Sequence, residues 1–267
     1  MNKSPKEKNI EDKILALVGG KAREVAQAIF DDEEIAALQD YANKVSIVRL
    51  GYNDHGPVHM KTAALNAMIL SNLLTDAGVK LNLEQEEIGT VDDSRVAVLV
   101  ATLMHDIGMS VGRENHEIIG ISLAMPIITR LLTPLYSGDL RKLVTVRSMI
   151  VEGIAGHMAT QKIHSLEAGL VLIGDGCDME KGRARITTQL STEPKIGDIH
   201  RYSASAIQKI RLTKGEQKPI RITAEMSQSV GFFQIEAVLY PKITSSPVKP
   251  YIELYAGITG ETMLCYL

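Results

Sequence analysis

The sequence predicts a mainly α protein: an all-α helical bundle followed by a small α+β unit of β-β-α-β order. Three observations carry this reading. At 267 residues the chain can form one large core, or a medium domain with a small one attached. Apolar residues recur at helical spacing through the first 190 residues, as with Ala64, Leu65, Met68, Ile69 and Leu73. Near Thr192 the pattern changes to period-two alternation, clearest in Ile220, Ile222, Ala224 and Met226.

The expected helices cover residues 21–30, 33–50, 57–77, 94–106, 115–132, 140–154 and 166–180. Pro57 suits a first helical turn, where its missing N–H costs nothing. Gly78 and Gly108 suit helix ends. Strands are expected over 207–212 and 220–226, joined by a turn-rich 214–219. A helix over 232–240 and a strand over 251–258 follow, the latter with Ile252, Leu254, Ala256 and Ile258 on one side. Residues 1–190 thus read as a helical domain and 191–267 as an appendage. The appendage is marginal for a core of its own, and is expected to pack on the helical domain or on a second subunit. Its apolar strands and modest charge favour a role in homo-oligomerisation over substrate binding.

Composition narrows the function. Hydrophobic residues make up 45% and charged residues 23%, which fits a folded protein and not a disordered one. A net charge of -3 argues against a nucleic-acid partner, which calls for a dense cationic surface. Two distant cysteines, Cys177 and Cys265, form neither a disulfide framework nor a paired metal knuckle, so a cytoplasmic location is expected. The polar stretch Met1 to Asp12 reads as neither leader nor anchor, and no run reaches the roughly 18 uncharged residues of a membrane span. No P-loop and no Gly-x-Ser-x-Gly elbow is present.

Histidine is the informative residue type. Of seven, six (His55, His59, His105, His116, His157 and His164) fall within one helical stretch, where side chains from separate helices can converge. His105-Asp106 follows the apolar run 96–104. A carboxylate beside an imidazole at the end of a buried helix is costly unless compensated, and a divalent cation compensates it. The bland alternative is a helix-terminal His favoured by the dipole. His59 lies 46 residues before His105, and Asp175 sits inside the apolar run 170–175. Asp178 shares a helical face with Asp175 and could replace it as a ligand, or pair with Lys181 or Arg183. Asp54 reads as a helix N-cap. His55 could contact the site or lie in a surface loop; His164 and His200 read as structural or exposed.

The order His … His-Asp … Asp resembles the HD-domain superfamily of metal-dependent phosphohydrolases, over about residues 54–185. The wording His-Gly-Pro-Val-His-Met-Lys, Leu-Met-His-Asp-Ile-Gly and Gly-Asp-Gly-Cys-Asp-Met-Glu-Lys-Gly-Arg carries the likeness. Relatives usually have Ala where this chain has Gly174. The resemblance implies an all-α HD-type bundle in which His59, His105, Asp106 and Asp175 hold a metal. Some relatives have a longer order with two metals; His116 and His157 would then complete a second site, bridged by Asp106. Imidazole and carboxylate ligands suit one or two divalent ions of Fe, Mn, Co, Ni or Zn, or Mg with several waters. Hydrolysis of a phosphoester or phosphoanhydride in a phosphorylated small molecule or nucleotide is implied, with Asp106 orienting the attacking water. Lys61, Arg113, Lys181 and Arg183 lie near these ligands in sequence and are candidates for binding substrate phosphate. Met109 stands where relatives that cleave cyclic dinucleotides often carry Lys, which disfavours that substrate. Two other readings stay open: a nucleotide-sensing oligomer without turnover, and a dinuclear-iron oxygenase.

Overall fold

The computed structural model describes residues 3–180 and 199–267, with the side chains at 200 and 201 left out. Its first nine helices are α1 (Pro5–Leu17), α2 (Gly20–Phe30), α3 (Glu33–Lys44), α4 (Pro57–Asp76), α5 (Asn82–Gln85), α6 (Val91–Met104), α7 (His116–Leu135), α8 (Leu140–Gly156) and α9 (Leu166–Gly176). After residue 198 come α10 (Ile199–Ala206), β1 (Ile207–Lys214) and β2 (Ile220–Met226). A helical run over 229–245 ends in α11 (Tyr240–Ser245), and β3 (Ile252–Ile258) and β4 (Leu264–Cys265) close the chain. The mainly helical fold with a small C-terminal sheet is therefore as the sequence predicts.

α1 was not among the expected helices. Its polar composition hides a clear start signal: Ser4 accepts from the Glu7 N–H, Glu7 accepts from the Ser4 N–H, and Pro5 fills the first turn. α7 also runs longer than expected. Its 20 residues make it long and apolar enough, by length and composition, to cross a membrane, although Glu117 and Arg130 keep its uncharged run well short of 18 residues. It packs against α8 and α2.

α6 is the centre of the bundle. Every residue from Val96 to Met104 is buried, as expected of a helix that is apolar all round. α4, α8 and α9 pack around it. α9 approaches α4 so closely that a Cβ at Gly174 would lie 2.8 Å from the Ala67 Cβ and 2.9 Å from the Ala63 carbonyl oxygen. That contact accounts for Gly at 174 in this chain.

The start of α6 is held by a polar cluster. Asp93 is fully buried and accepts hydrogen bonds from the Thr90 N–H (2.9 Å), the Thr90 hydroxyl (2.9 Å), the Tyr136 hydroxyl (2.9 Å) and the Lys21 ammonium (3.2 Å). Burial alone would raise its pKa; these donors outweigh it and hold the carboxyl below its ordinary value. Asp93→Asn is expected to cost about 2–3 kcal/mol at pH 7 in urea titration. A depressed folded pKa stabilises above the unfolded value and is lost as pH falls through the folded one. The gap between wild type and variant should therefore narrow as pH falls below the unfolded carboxyl value of about 3.9.

The sheet has the order β1-β2-β3-β4. β1 and β2 form an antiparallel hairpin. β2 and β3 run parallel, Ile220 opposite Ile252 and Met226 opposite Ile258. A parallel pair needs a crossover, and the helical run 229–245 supplies it. Ile220, Ile222, Ala224 and Met226 are buried, as their alternation predicts. β1 and β2 pack on α4, and α11 packs on α9. The C-terminal unit thus lies against the two helices that carry His59 and Asp175.

Candidate metal centre

Helix ends bring the predicted ligands together. His59 stands in the first turn of α4, behind Pro57. His105 caps the C-terminus of α6, and Asp106 opens the tight 3-10 turn Ile107–Ser110. Asn115 takes a left-handed conformation (φ 53°), tolerated by asparagine, and turns the chain so that His116 begins α7. His157 caps α8, and Asp175 lies in the last turn of α9. Three of these positions are helix C-termini, where the backbone dipoles favour a cation. All six side chains are buried.

They form two groups that share one carboxylate. In the first, His59 Nε2 lies 3.2 Å from His105 Nε2 and 3.2 Å from Asp106 Oδ2. His105 Nε2 is 3.2 Å from the same oxygen. Asp175 Oδ1 stands 3.2 Å from His59 Nε2 and 3.6 Å from His105 Nε2. In the second group, Asp106 Oδ1 is 3.1 Å from His116 Nε2 and 3.4 Å from His157 Nε2, and those two nitrogens are 3.1 Å apart. The trios His59, His105, Asp106 and Asp106, His116, His157 could each hold a metal ion.

The other ring nitrogens are tied away from the centre. His105 Nδ1 donates to the Thr102 carbonyl (2.7 Å), His116 Nδ1 to the Arg113 carbonyl (2.8 Å) and His157 Nδ1 to the Ile154 carbonyl (2.7 Å). His59 Nδ1 donates to Asp178 Oδ2 at 2.7 Å. A carbonyl only accepts, so these bonds fix the proton on Nδ1 and direct the Nε2 lone pairs inward. Buried lone pairs and carboxylate oxygens that converge repel one another unless a proton or a metal cation sits among them. Two donors bound at about 2.1 Å to one ion lie about 3.0–3.4 Å apart for angles between octahedral and tetrahedral. The observed spacings match that range except for His105 to Asp175 at 3.6 Å, so this donor set fits divalent metals.

The electrostatics show the same demand for positive charge. Burial should lower the His105 pKa, but the charges and hydrogen bonds of Asp106 and Asp175 push it up to about 9. Burial, joined by the charge of His105, pushes His157 down to about 4 and keeps it a neutral imidazole. Burial opposes ionisation of Asp106 and Asp175, yet both are held well below the ordinary carboxylate value. His105 and His55 do this for Asp106, and Lys242 and the His105 and His59 hydrogen bonds for Asp175.

Other candidates are placed differently. Lys61 lies two residues beyond His59, which turns it to the far side of α4. Its ammonium bonds Glu7 (3.0 Å) and Glu11 (2.7 Å) of α1, so its charge ties α1 to α4 and is not offered to a substrate. Arg113 lies over the Tyr52 ring (5.9 Å) and beside the Met158 sulfur (3.8 Å), while its carbonyl holds His116. Lys181 and Arg183 lie outside the described residues. His55 is buried, bonded to Ser46 Oγ (2.9 Å) and the Asn53 carbonyl (2.7 Å), with its ring 5.9 Å from that of His59. Asp54 accepts from the Gly56 N–H in a local turn, and Gly56, not Asp54, is the N-cap of α4.

Asp178 orients His59, and its replacement by Ala should weaken metal affinity about 10–100-fold, measured by competition with a chromogenic chelator. Lys242 was missed altogether. It comes from α11, and its ammonium bonds Asp175 Oδ2 and the His157 carbonyl.

No protein-family model matches the chain, and no solved structure matches it. Over 242 residues, 91% of this chain and 91% of the relative, the sequence is 32% identical to the uncharacterized protein MJ1020 of Methanocaldococcus jannaschii. At that identity and coverage, the chain belongs to the same family as MJ1020.

Proposed function

We propose that the chain is a metal-dependent phosphohydrolase of the HD type, acting on a phosphoester or phosphoanhydride of a nucleotide or other phosphorylated small molecule. One observation carries the proposal: two buried donor groups, on five helix ends, share Asp106 between them. The chain order His59 … His105-Asp106 … His116 … His157 … Asp175 is the order seen in HD relatives with two metals. His59, His105, Asp106 and Asp175 would hold one ion, and Asp106, His116 and His157 the other. Bound divalent ions supply Lewis acidity that ionises water near neutral pH and neutralises phosphoryl oxygens. Asp106 holds the two sites in register and orients the attacking water. The Nδ1 bonds keep the imidazoles from rotating, so little reorganisation accompanies the reaction. Arg113, braced by Tyr52, supplies a forked donor for substrate phosphate.

The test is metal analysis of protein purified without chelator, paired with phosphate release from a nucleotide panel under anaerobic conditions. One to two equivalents of transition metal, and turnover that stops on chelation and returns on re-metallation, are the expected results. Metal-loaded protein that consumes oxygen on turnover and releases no phosphate would overturn the hydrolase reading.

A further inference from the structure

The C-terminal unit reaches into the metal centre through one side chain. Lys242 stands in α11, and its stem passes over Gly176, where a Cβ would come within 3.0 Å of the Lys242 Cδ. Glycine at 176 leaves that passage open. The Lys242 side chain as a whole is 12% exposed. Its ammonium donates to Asp175 Oδ2, of the first donor group, and to the His157 carbonyl (2.9 Å), of the second. Among the described residues it is the one Lys or Arg side chain that bonds a carboxylate of the donor set.

An ammonium has three N–H donors. Two are used by these oxygens, and both are fixed: one by α9, the other by the end of α8. The head group is therefore held in place before any ligand arrives, with one N–H donor left over beside both groups. Asp175 presents its other oxygen, Oδ1, to His59 and His105, so a cation there and the Lys242 bond do not compete for one atom. A phosphoryl oxygen is among the acceptors that bind a cationic N–H most strongly.

We propose that Lys242 is a phosphate-binding residue of the active site, supplied by the C-terminal unit. This rests on the hydrolase reading and changes the expected role of residues 191–267 from oligomerisation alone to completion of the substrate site. Full-length protein loaded with Mn2+ is titrated with orthophosphate, and bound manganese is measured in parallel. For Lys242→Met, manganese content should match wild type while phosphate affinity falls about tenfold or more. Lys242→Arg should recover much of that loss. Unchanged phosphate affinity in Lys242→Met overturns the inference alone. So does loss of manganese in step with phosphate, which would make Lys242 only a prop for Asp175. Wild type that takes up manganese but no orthophosphate sinks this inference and the hydrolase reading together. Should Lys242→Met not fold, Lys242→Gln is judged by the same outcomes.

Discussion

Replacing Asp106 by alanine is expected to abolish metal uptake at both donor groups and to lower turnover by about a thousandfold or more. Among the described residues no other side chain belongs to both groups: Oδ2 faces His59 and His105, Oδ1 faces His116 and His157. Without it the first group keeps two imidazoles and Asp175, and the second keeps only two imidazoles. Metal-linked stability should vanish with the metal. Ligand held at a thousandfold above its dissociation constant stabilises a fold by about 4 kcal/mol. Chelation should therefore lower the melting temperature of wild type and leave that of Asp106→Ala unmoved. Asp106→Ala protein with two equivalents of metal and a chelator-sensitive melt would refute the shared-ligand arrangement.

The candidate ligands are legible because each sits in a local context that makes it expensive without a partner. His105-Asp106 ends a helix buried on every side, and Asp175 lies within an apolar turn. Their order along the chain supplied the rest. Residues judged by closeness in sequence fared worse. Lys61 is two positions from His59, but two residues on a helix is about 200° of rotation, and its ammonium faces α1 instead. Lys242 is 67 residues from Asp175, in a segment whose strands announce only their own sheet. Its position follows from packing of α11 on α9, which no local pattern encodes. α1 was hidden by the opposite error: its composition is polar, yet its Ser4–Glu7 capping box was readable. Asp178 was recognised as a neighbour of Asp175; its bond to His59 depends on how α4 and the end of α9 meet.

Gly108→Ala should have the second large effect, through backbone contact and not through chemistry. Gly108 looked like a helix terminator, but its role is close approach. A Cβ there would lie 1.9 Å from the carbonyl oxygen of His116, 2.7 Å from the Gly120 nitrogen and 2.8 Å from the His116 carbonyl carbon. All three are backbone atoms of α7, and none can swing aside as a side chain does. Real Cβ contacts do not fall below 3.0 Å, so the Ile107–Ser110 turn and α7 must separate by about 1 Å or more. Overpacking of this kind costs about 3 kcal/mol, at the upper end of its usual range. For a chain of this size that lowers the melting temperature by about 6 °C or more. The separation also pulls His116 from Asp106, now 3.1 Å apart, while His59, His105 and Asp175 sit on helices other than α7. Metal analysis of Gly108→Ala should therefore show the second equivalent lost before the first. A variant that keeps both equivalents and the wild-type melting temperature would mean that the contact between this turn and α7 does not set the distance across the shared carboxylate.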